Sequence, residues 1–154
     1  MKDIFWLADS FDATRGDDDS GSSSDNNIVS AQDNNIYFYS EVSRPKVLSL
    51  NKSLTRVSNS IKNRSNVLEA EDIPIKLHIC SYGGSVFSGF AAVDYIANCK
   101  VPVHSYIDGC AASAATLMSV VAEKRYMHKH SFMLIHQLSS GMWGNYEALK
   151  DSME

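Results

Sequence analysis

Residues 101–122, VPVHSYIDGCAASAATLMSVVA, form the segment around which the rest of the chain is arranged. The β-branched run at 101–107 predicts a strand, and the small residues at 111–122 predict a helix. The Asp108-Gly109 junction between them allows a sharp bend that would present the Ser113 hydroxyl to a ligand. Ser113 is therefore either a nucleophile or an ordinary helix N-cap, and the local sequence leaves both interpretations open.

On both sides of this segment, short apolar strands alternate with amphipathic helices. The patterns predict strands at residues 35–42, 73–80, 101–107, 125–127 and 131–135, and helices at 46–69, 86–99, 111–122 and 145–154. Such alternation is typical of an α/β fold with a largely parallel sheet. Ligands of these sheets bind at the carboxyl ends of the strands, where the Gly83-Gly84 turn, residues 109–113 and His136 are all expected.

The first 30 residues differ in composition from the rest of the chain. Residues 12–27 consist mostly of Asp, Ser, Gly and Asn, which cannot bury enough apolar surface to order themselves. We interpret residues 1–30 as an N-terminal segment with a flexible acidic linker, and residues 31–154 as the domain. An acidic binding tail is the less favoured interpretation of the linker.

Composition excludes several classes of protein. The chain has 154 residues, 44% of them hydrophobic, and a formal net charge of −4, so a nucleic acid is not the expected partner. No apolar run approaches the ~18 residues of a membrane span. Cys80, Cys99 and Cys110 are widely spaced, which predicts neither a disulfide framework nor a zinc site and suits a reducing compartment.

A serine nucleophile needs a base, and His136 is the best placed of the five histidines. It directly follows an apolar strand, although a buried structural histidine is the alternative interpretation. His78 and His104 fall inside predicted strands. His128 and His130 have H-x-H spacing but no nearby acid or cysteine to complete a ligand set, so we expect no metal and no cofactor.

The Gly83-Gly84 turn is a candidate source of backbone donors. Glycine lets the chain approach a ligand closely and adopt the dihedral angles that point an N–H into a cleft. An ordinary tight turn is the alternative. A phosphate-binding loop is disfavoured, because neither common glycine-rich phosphate motif is present.

Three motifs in order resemble the ClpP family of serine peptidases, the proteolytic components of ATP-dependent proteases. Residues 81–86, SYGGSV, are similar to the family's S-P-G-G-S-V turn. Residues 109–114, GCAASA, are similar to its G-x-A-A-S-x nucleophile motif, and residues 133–137, MLIHQ, to its M-I-H-Q base motif. The resemblance implies a spiral of β-β-α units and a serine endopeptidase activity.

The resemblance also implies a role for each matching residue. Ser113 would be the nucleophile and His136 the base, and the N–H groups of Gly84 and Ala114 would form the oxyanion hole. Substrate would pair as an added strand with three further residues: Ser85, Val86 and Leu138.

The resemblance further implies partners and a location. Members of the family form homo-oligomeric, heptameric rings that degrade unfolded polypeptides delivered by an AAA+ unfoldase. The expected compartment is the cytoplasm, or the plastid stroma or mitochondrial matrix for an organellar protein.

Several departures from the family pattern qualify this expectation. Tyr82 and Leu138 stand where the family has prolines, and the aspartate that orients the histidine lies well beyond the 18 residues that follow His136. Asp151 is a weak substitute. The chain is then expected to be a fragment, or a truncated homologue that is a weak or inactive ring subunit. A crotonase-type acyl-CoA enzyme is the third hypothesis, and it has no use for a serine–histidine pair.

Overall fold

The computed structural model describes residues 29–137, which form six strands and three helices. In chain order these are β1 (Val29–Gln32), β2 (Asn35–Phe38), α1 (Arg44–Leu68), β3 (Ile75–Ser81), α2 (Val86–Ala97), β4 (Val103–Ala112), α3 (Ala114–Val120), β5 (Lys124–Met127) and β6 (Phe132–Leu134). The predicted linker at 12–27 and the predicted helix at 145–154 lie outside the described residues.

The strands form one sheet that is parallel except at its first pair. Its order is β1-β2-β3-β4-β5, with β6 also paired to β4, and only β1 and β2 are antiparallel. Each helix connects two parallel strands, because parallel neighbours can be joined only by a long crossover connection. The predicted α/β class with a largely parallel sheet is thereby confirmed.

The three helices cover one face of the sheet. Apolar residues at three- and four-residue spacing bury one side of α1, and Pro45 fits its first turn because its missing N–H has no partner to lose there. These side chains meet every second residue of β2, β3 and β4 in a single core. Its largest fully buried side chains are Phe38, Ile36, Leu50, Leu54, Ile75, Leu77, Ile79 and Met118.

The opposite face of the sheet carries a row of four stacked rings, one from each of four neighbouring strands. Tyr37, His78, Tyr106 and Tyr126 occupy directly paired positions. Successive ring centroids are 4.7, 5.2 and 4.7 Å apart. Cross-strand aromatic pairs of this kind stabilise a sheet, so the row ties β2 through β5 together.

Two elements differ from their sequence-based prediction. β4 continues to Ala112, so α3 begins at Ala114 and the predicted helix start at residue 111 is wrong. Pairing with β3 and β6 holds Ala111 and Ala112 in the strand despite their high helix propensity. β1 was not predicted. It begins at Val29, two residues before the proposed start of the domain at residue 31. The division of the chain into an N-terminal segment and a domain stays a prediction.

None of the helices within residues 29–137 is long and apolar enough to cross a membrane.

Candidate active site

Ser113 joins β4 to α3 in an unusual backbone conformation. Its φ of 52° and ψ of −127° place a non-glycine residue in a region that L-residues rarely adopt. The Ser113 N–H donates to the Leu134 carbonyl oxygen at 2.9 Å, and the Ser113 carbonyl oxygen accepts from the Thr116 N–H at 3.0 Å. Contacts on both sides therefore hold the strained residue in place, as is common at functional sites.

The Ser113 hydroxyl does not cap the helix that follows. Ser113 occupies the N-cap position of α3, but its side chain makes no capping hydrogen bond. A serine selected as a cap would accept a bond from the second or third N–H of the helix. The geometry instead leaves the oxygen at a strand-to-helix bend, which favours the nucleophile interpretation over the cap interpretation.

The Gly83-Gly84 turn packs directly against Ser113. A Cβ atom added to Gly83 would lie 2.6 Å from the Ala112 carbonyl oxygen, 2.7 Å from the Ser113 Cβ and 3.1 Å from the Ala114 nitrogen. Gly83 also has a φ of 101°. Only glycine lets the turn approach this closely in this conformation.

Val42 fixes the turn from its other side. Its N–H donates to the Gly83 carbonyl oxygen, and its carbonyl oxygen accepts from the Ser85 N–H, both at 2.7 Å. These two bonds make a parallel bridge between Val42 and Gly84. Gly84 has a φ of 141°, and its own N–H takes no part in the bridge. Within residues 29–137 neither the Gly84 N–H nor the Ala114 N–H donates a hydrogen bond.

The two predicted substrate-pairing residues that the structure describes lie at the start of α2. Ser85 has an extended backbone and caps the helix by accepting a hydrogen bond from the Ser88 N–H at 3.2 Å. Val86 is the first helical residue rather than part of an extended segment. Leu138 lies outside the described residues, so its role stays a prediction.

His136 lies beyond the end of β6, on the same sheet edge as Ser113. Ala112 and Leu134, the last residues of β4 and β6, are paired, so Ser113 and His136 follow neighbouring strands at the same end. The ring is exposed, and its Nδ1 lies 2.7 Å from the Gln137 carbonyl oxygen. Because a carbonyl oxygen only accepts, Nδ1 holds the proton in the neutral ring and Nε2 is left as the acceptor a general base needs.

The structure brings Ser113 and His136 to one edge without bonding their side chains. Among residues 29–137 no hydrogen bond joins the Ser113 hydroxyl to the His136 ring, and no carboxylate contacts that ring. Catalytic hydrogen bonds are often loose before substrate binds. The Gln137 carbonyl oxygen is the contact that selects the ring tautomer, but unlike a triad carboxylate it carries no negative charge to stabilise a protonated ring.

A carboxylate does hold a different histidine, in an arrangement that the sequence analysis missed. Asp108 Oδ2 accepts a hydrogen bond from the Tyr39 hydroxyl at 2.8 Å and lies 2.7 Å from His78 Nδ1. His128 Nε2 is 3.1 Å from Asp108 Oδ1 but out of line for a hydrogen bond. Burial, and then the hydrogen bond to Asp108, raise the pKa of Tyr39 far above its ordinary value.

Sequence spacing gives no signal for this Asp108 cluster. Its residues come from four separate parts of the chain, and the pairing of β2, β3, β4 and β5 brings them together. No group of three histidine, cysteine or acidic residues in the described part of the chain is arranged to hold a metal ion.

Comparison with known proteins places this geometry in a family. The family model described as Clp protease matches residues 30–154. The chain belongs to the Clp protease family. The resemblance seen in the three sequence motifs is thereby confirmed.

Two Clp protease subunits from other organisms are identical to this chain at about a third of the aligned positions. The ATP-dependent Clp protease proteolytic subunit 2 of Synechococcus sp. (strain CC9605) is 37% identical over 111 residues, which is 69% of this chain and 56% of that protein. The ATP-dependent Clp protease proteolytic subunit of Bdellovibrio bacteriovorus is 36% identical over 110 residues, which is 67% of this chain and 52% of that protein. The aligned part of the chain therefore spans little more than half the length of these relatives.

Solved Clp protease structures share the fold. ClpP1 from Listeria monocytogenes superposes with a TM-score of 0.61 and 23% identity, covering 77% of this chain and 65% of that one. The ClpP protease catalytic domain from Plasmodium falciparum gives a TM-score of 0.53 and 23% identity, covering 71% and 55%. The predicted ClpP-like spiral of β-β-α units is confirmed at the level of the fold.

Proposed function

We propose that this protein is a serine endopeptidase, the proteolytic subunit of an ATP-dependent Clp-type protease. The observation that carries the proposal is the Ser113 backbone: a strained, uncapped serine at a strand end, packed against a glycine turn in which the Gly84 N–H has no hydrogen-bond partner among the described residues. Membership of the Clp protease family supports the same activity. Its substrates would be unfolded polypeptides.

The proposed reaction uses these groups in turn. The Ser113 Oγ attacks the scissile carbonyl carbon, and His136 Nε2 takes the hydroxyl proton. The Gly84 and Ala114 N–H groups donate to the oxygen that becomes negative. His136 then gives the proton to the leaving amine as the C–N bond breaks, which leaves the acyl group on Ser113 Oγ. Water attacks the acyl carbon while His136 takes its proton, and His136 returns that proton to Ser113 Oγ as the ester bond breaks.

Backbone pairing would align the substrate across the site. We assign this role to residues on either side of the catalytic groups, namely Ser85 and Val86 at the N-terminus of α2 and Leu138 after His136. An extended peptide added between these segments would be held by main-chain hydrogen bonds, which do not depend on its sequence. Such binding suits an enzyme that degrades many unfolded chains.

The proposed partners follow from the family and from the names of the relatives, which are subunits of ATP-dependent proteases. We propose a homo-oligomeric, heptameric ring that receives substrate from an AAA+ unfoldase, without cofactor, nucleic acid or membrane. The proposed location is the cytoplasm, or the stroma or matrix of an organelle.

A fluorophosphonate probe tests the proposed nucleophile directly. The assembled protein should be labelled on Ser113, and the Ser113→Ala variant should not react. Ser40→Ala is the matched control, because Ser40 is also a half-buried serine at a strand end. Labelling that persists in Ser113→Ala, or a folded ring that never reacts, would contradict the proposal, and the second result would favour a non-catalytic ring subunit.

A further inference from the structure

Two cysteines lie side by side beneath the candidate active site. Cys80 is in β3 and Cys110 in β4, at an irregularity in the pairing of these parallel strands. Ser81 pairs with Ala111, so the residues just before them, Cys80 and Cys110, are neighbours across the strands. Paired strands are about 4.7–4.9 Å apart, within the ~4.4–6.8 Å separation of Cα atoms that a disulfide spans.

The two thiols interact in this arrangement. Burial raises the pKa of the Cys110 thiol, and the charge of the adjacent Cys80 raises it further. The Gly109 backbone passes close to the pair, since a Cβ atom at that position would lie 3.4 Å from Cys80 Sγ. All three cysteines of the chain are unbridged in the structure.

The thiols differ in their access to solvent. Cys80 is partly exposed and lines a cavity of about 450 Å³ together with Tyr82, Gly83 and Gly84. Cys110 is only 4% exposed. A small oxidant therefore reaches Cys80 first, and Cys110 is positioned to react with the oxidised product.

We propose that Cys80 and Cys110 form a peroxide-responsive thiol pair that reversibly closes to a disulfide. The Cys80 thiolate attacks hydrogen peroxide, giving a sulfenic acid and, after protonation of the leaving hydroxide, one water. Cys110, as its thiolate, then attacks the Cys80 sulfur, forms the S–S bond and expels hydroxide, which is protonated to a second water. A dithiol reductant reverses the change and restores both thiols.

The disulfide would act on the site proposed above, and this consequence rests on the proposed function. Cys80 directly precedes the segment Ser81–Gly84, and Cys110 lies three residues before Ser113. Bonding the two sulfurs pulls on the irregular pairing between these strands, which holds the Gly83 turn against Ser113. Oxidation should therefore slow the acylation of Ser113, because oxyanion donors act only when closely placed.

Peptide mapping after exposure of the intact protein to hydrogen peroxide tests the pair without requiring any activity. The expected product is one intramolecular Cys80–Cys110 link that dithiothreitol removes. It should form in the wild type and in Cys99→Ser, and be absent from Cys80→Ser and Cys110→Ser. In Cys110→Ser, dimedone should trap a sulfenic acid on Cys80. A link through Cys99, a link between chains, or oxidation of Cys80 without any link to Cys110 would overturn the proposal.

The rate of fluorophosphonate labelling tests the coupling to the site. Peroxide should slow labelling at least severalfold and reversibly in the wild type and Cys99→Ser, and leave Cys80→Ala unaffected. An intact link with an unchanged labelling rate would overturn the coupling. A reduced protein that is never labelled contradicts the proposed peptidase, while the mapping result still decides whether the thiol pair exists.

Discussion

Two histidines of this chain, His78 and His136, are held in opposite ways. The His78 side chain is 17% exposed, stacks between Tyr37 and Tyr106, and lies 2.7 Å from the Asp108 carboxylate. His136 is exposed, and the Gln137 carbonyl oxygen is its hydrogen-bond partner within residues 29–137. His78 has a carboxylate partner, whereas His136, on the same sheet edge as Ser113, has none among the described residues.

The contrast shows that a well-held histidine is not by itself a catalytic one. His78 is fixed by contacts that also join β2, β3 and β4, so its environment is explained by the stability of the sheet. His136 makes few contacts, which leaves its ring free to meet a substrate and Ser113. We therefore expect loss of His136 to affect chemistry and loss of His78 to affect folding.

The largest expected effect separates the two histidines directly. His136→Ala should lower the rate of peptide hydrolysis by up to about 10⁶-fold, as removal of a triad base does. Its free energy of unfolding should change by less than about 0.5 kcal/mol, because the ring is exposed. His78→Ala should do the reverse, with normal labelling of the folded protein and a loss of about 1–3 kcal/mol. Denaturant titration and probe labelling of both variants provide the measurements, and a His136→Ala variant with wild-type hydrolysis would remove the base assignment.

An intermediate effect is expected from the carboxylate that holds His78. Asp108→Asn removes the charge from two hydrogen-bonding contacts of a mostly buried group, so unfolding should become easier by about 1–3 kcal/mol. Asp94→Asn is the control, because Asp94 is exposed and should leave the denaturation midpoint unchanged. Equal midpoints for the two variants would show that the Asp108 cluster does not contribute to stability.

The smallest expected effect appears at alkaline pH. Because the pKa of Tyr39 is raised in the folded protein, the folded state keeps this proton when the unfolded chain loses it. Stability should therefore fall as pH rises above the ordinary tyrosine pKa of about 10. Tyr39→Phe should flatten that decline, whereas Tyr95→Phe should not, because the Tyr95 hydroxyl, unlike that of Tyr39, donates no hydrogen bond to a carboxylate within residues 29–137. Thermal melts between about pH 8 and pH 11 compare the three proteins, and parallel declines in all of them would exclude this role for Tyr39.

The helices and central strands were predictable because their patterns are local. The predicted helix at 46–69 corresponds to Arg44–Leu68, and the helix at 86–99 to Val86–Ala97. Both bury an apolar stripe whose period is visible in the sequence. β1 was missed because it has only four residues, VSAQ, of which two are polar, and because they form a strand only by pairing with β2.

The candidate site was predictable in its residues but not in its geometry. Each of the motifs around Gly84, Ser113 and His136 is a run of consecutive residues, so it can be recognised in one sequence. The close contact of Gly83 with Ser113, the missing cap, and the Asp108 cluster all depend on strand register. Register reflects pairing across the whole sheet, which no short motif encodes.

The Ser113 backbone also bears on how this chain can change by mutation. Holding a non-glycine residue in a sparsely populated region costs about 1–3 kcal/mol, and glycine would relieve that cost at φ 52°. Drift under selection for stability alone would therefore move position 113 toward glycine. A descendant that no longer needed the hydroxyl would gain stability by that single replacement, so the serine is the residue whose loss would first record a change of role.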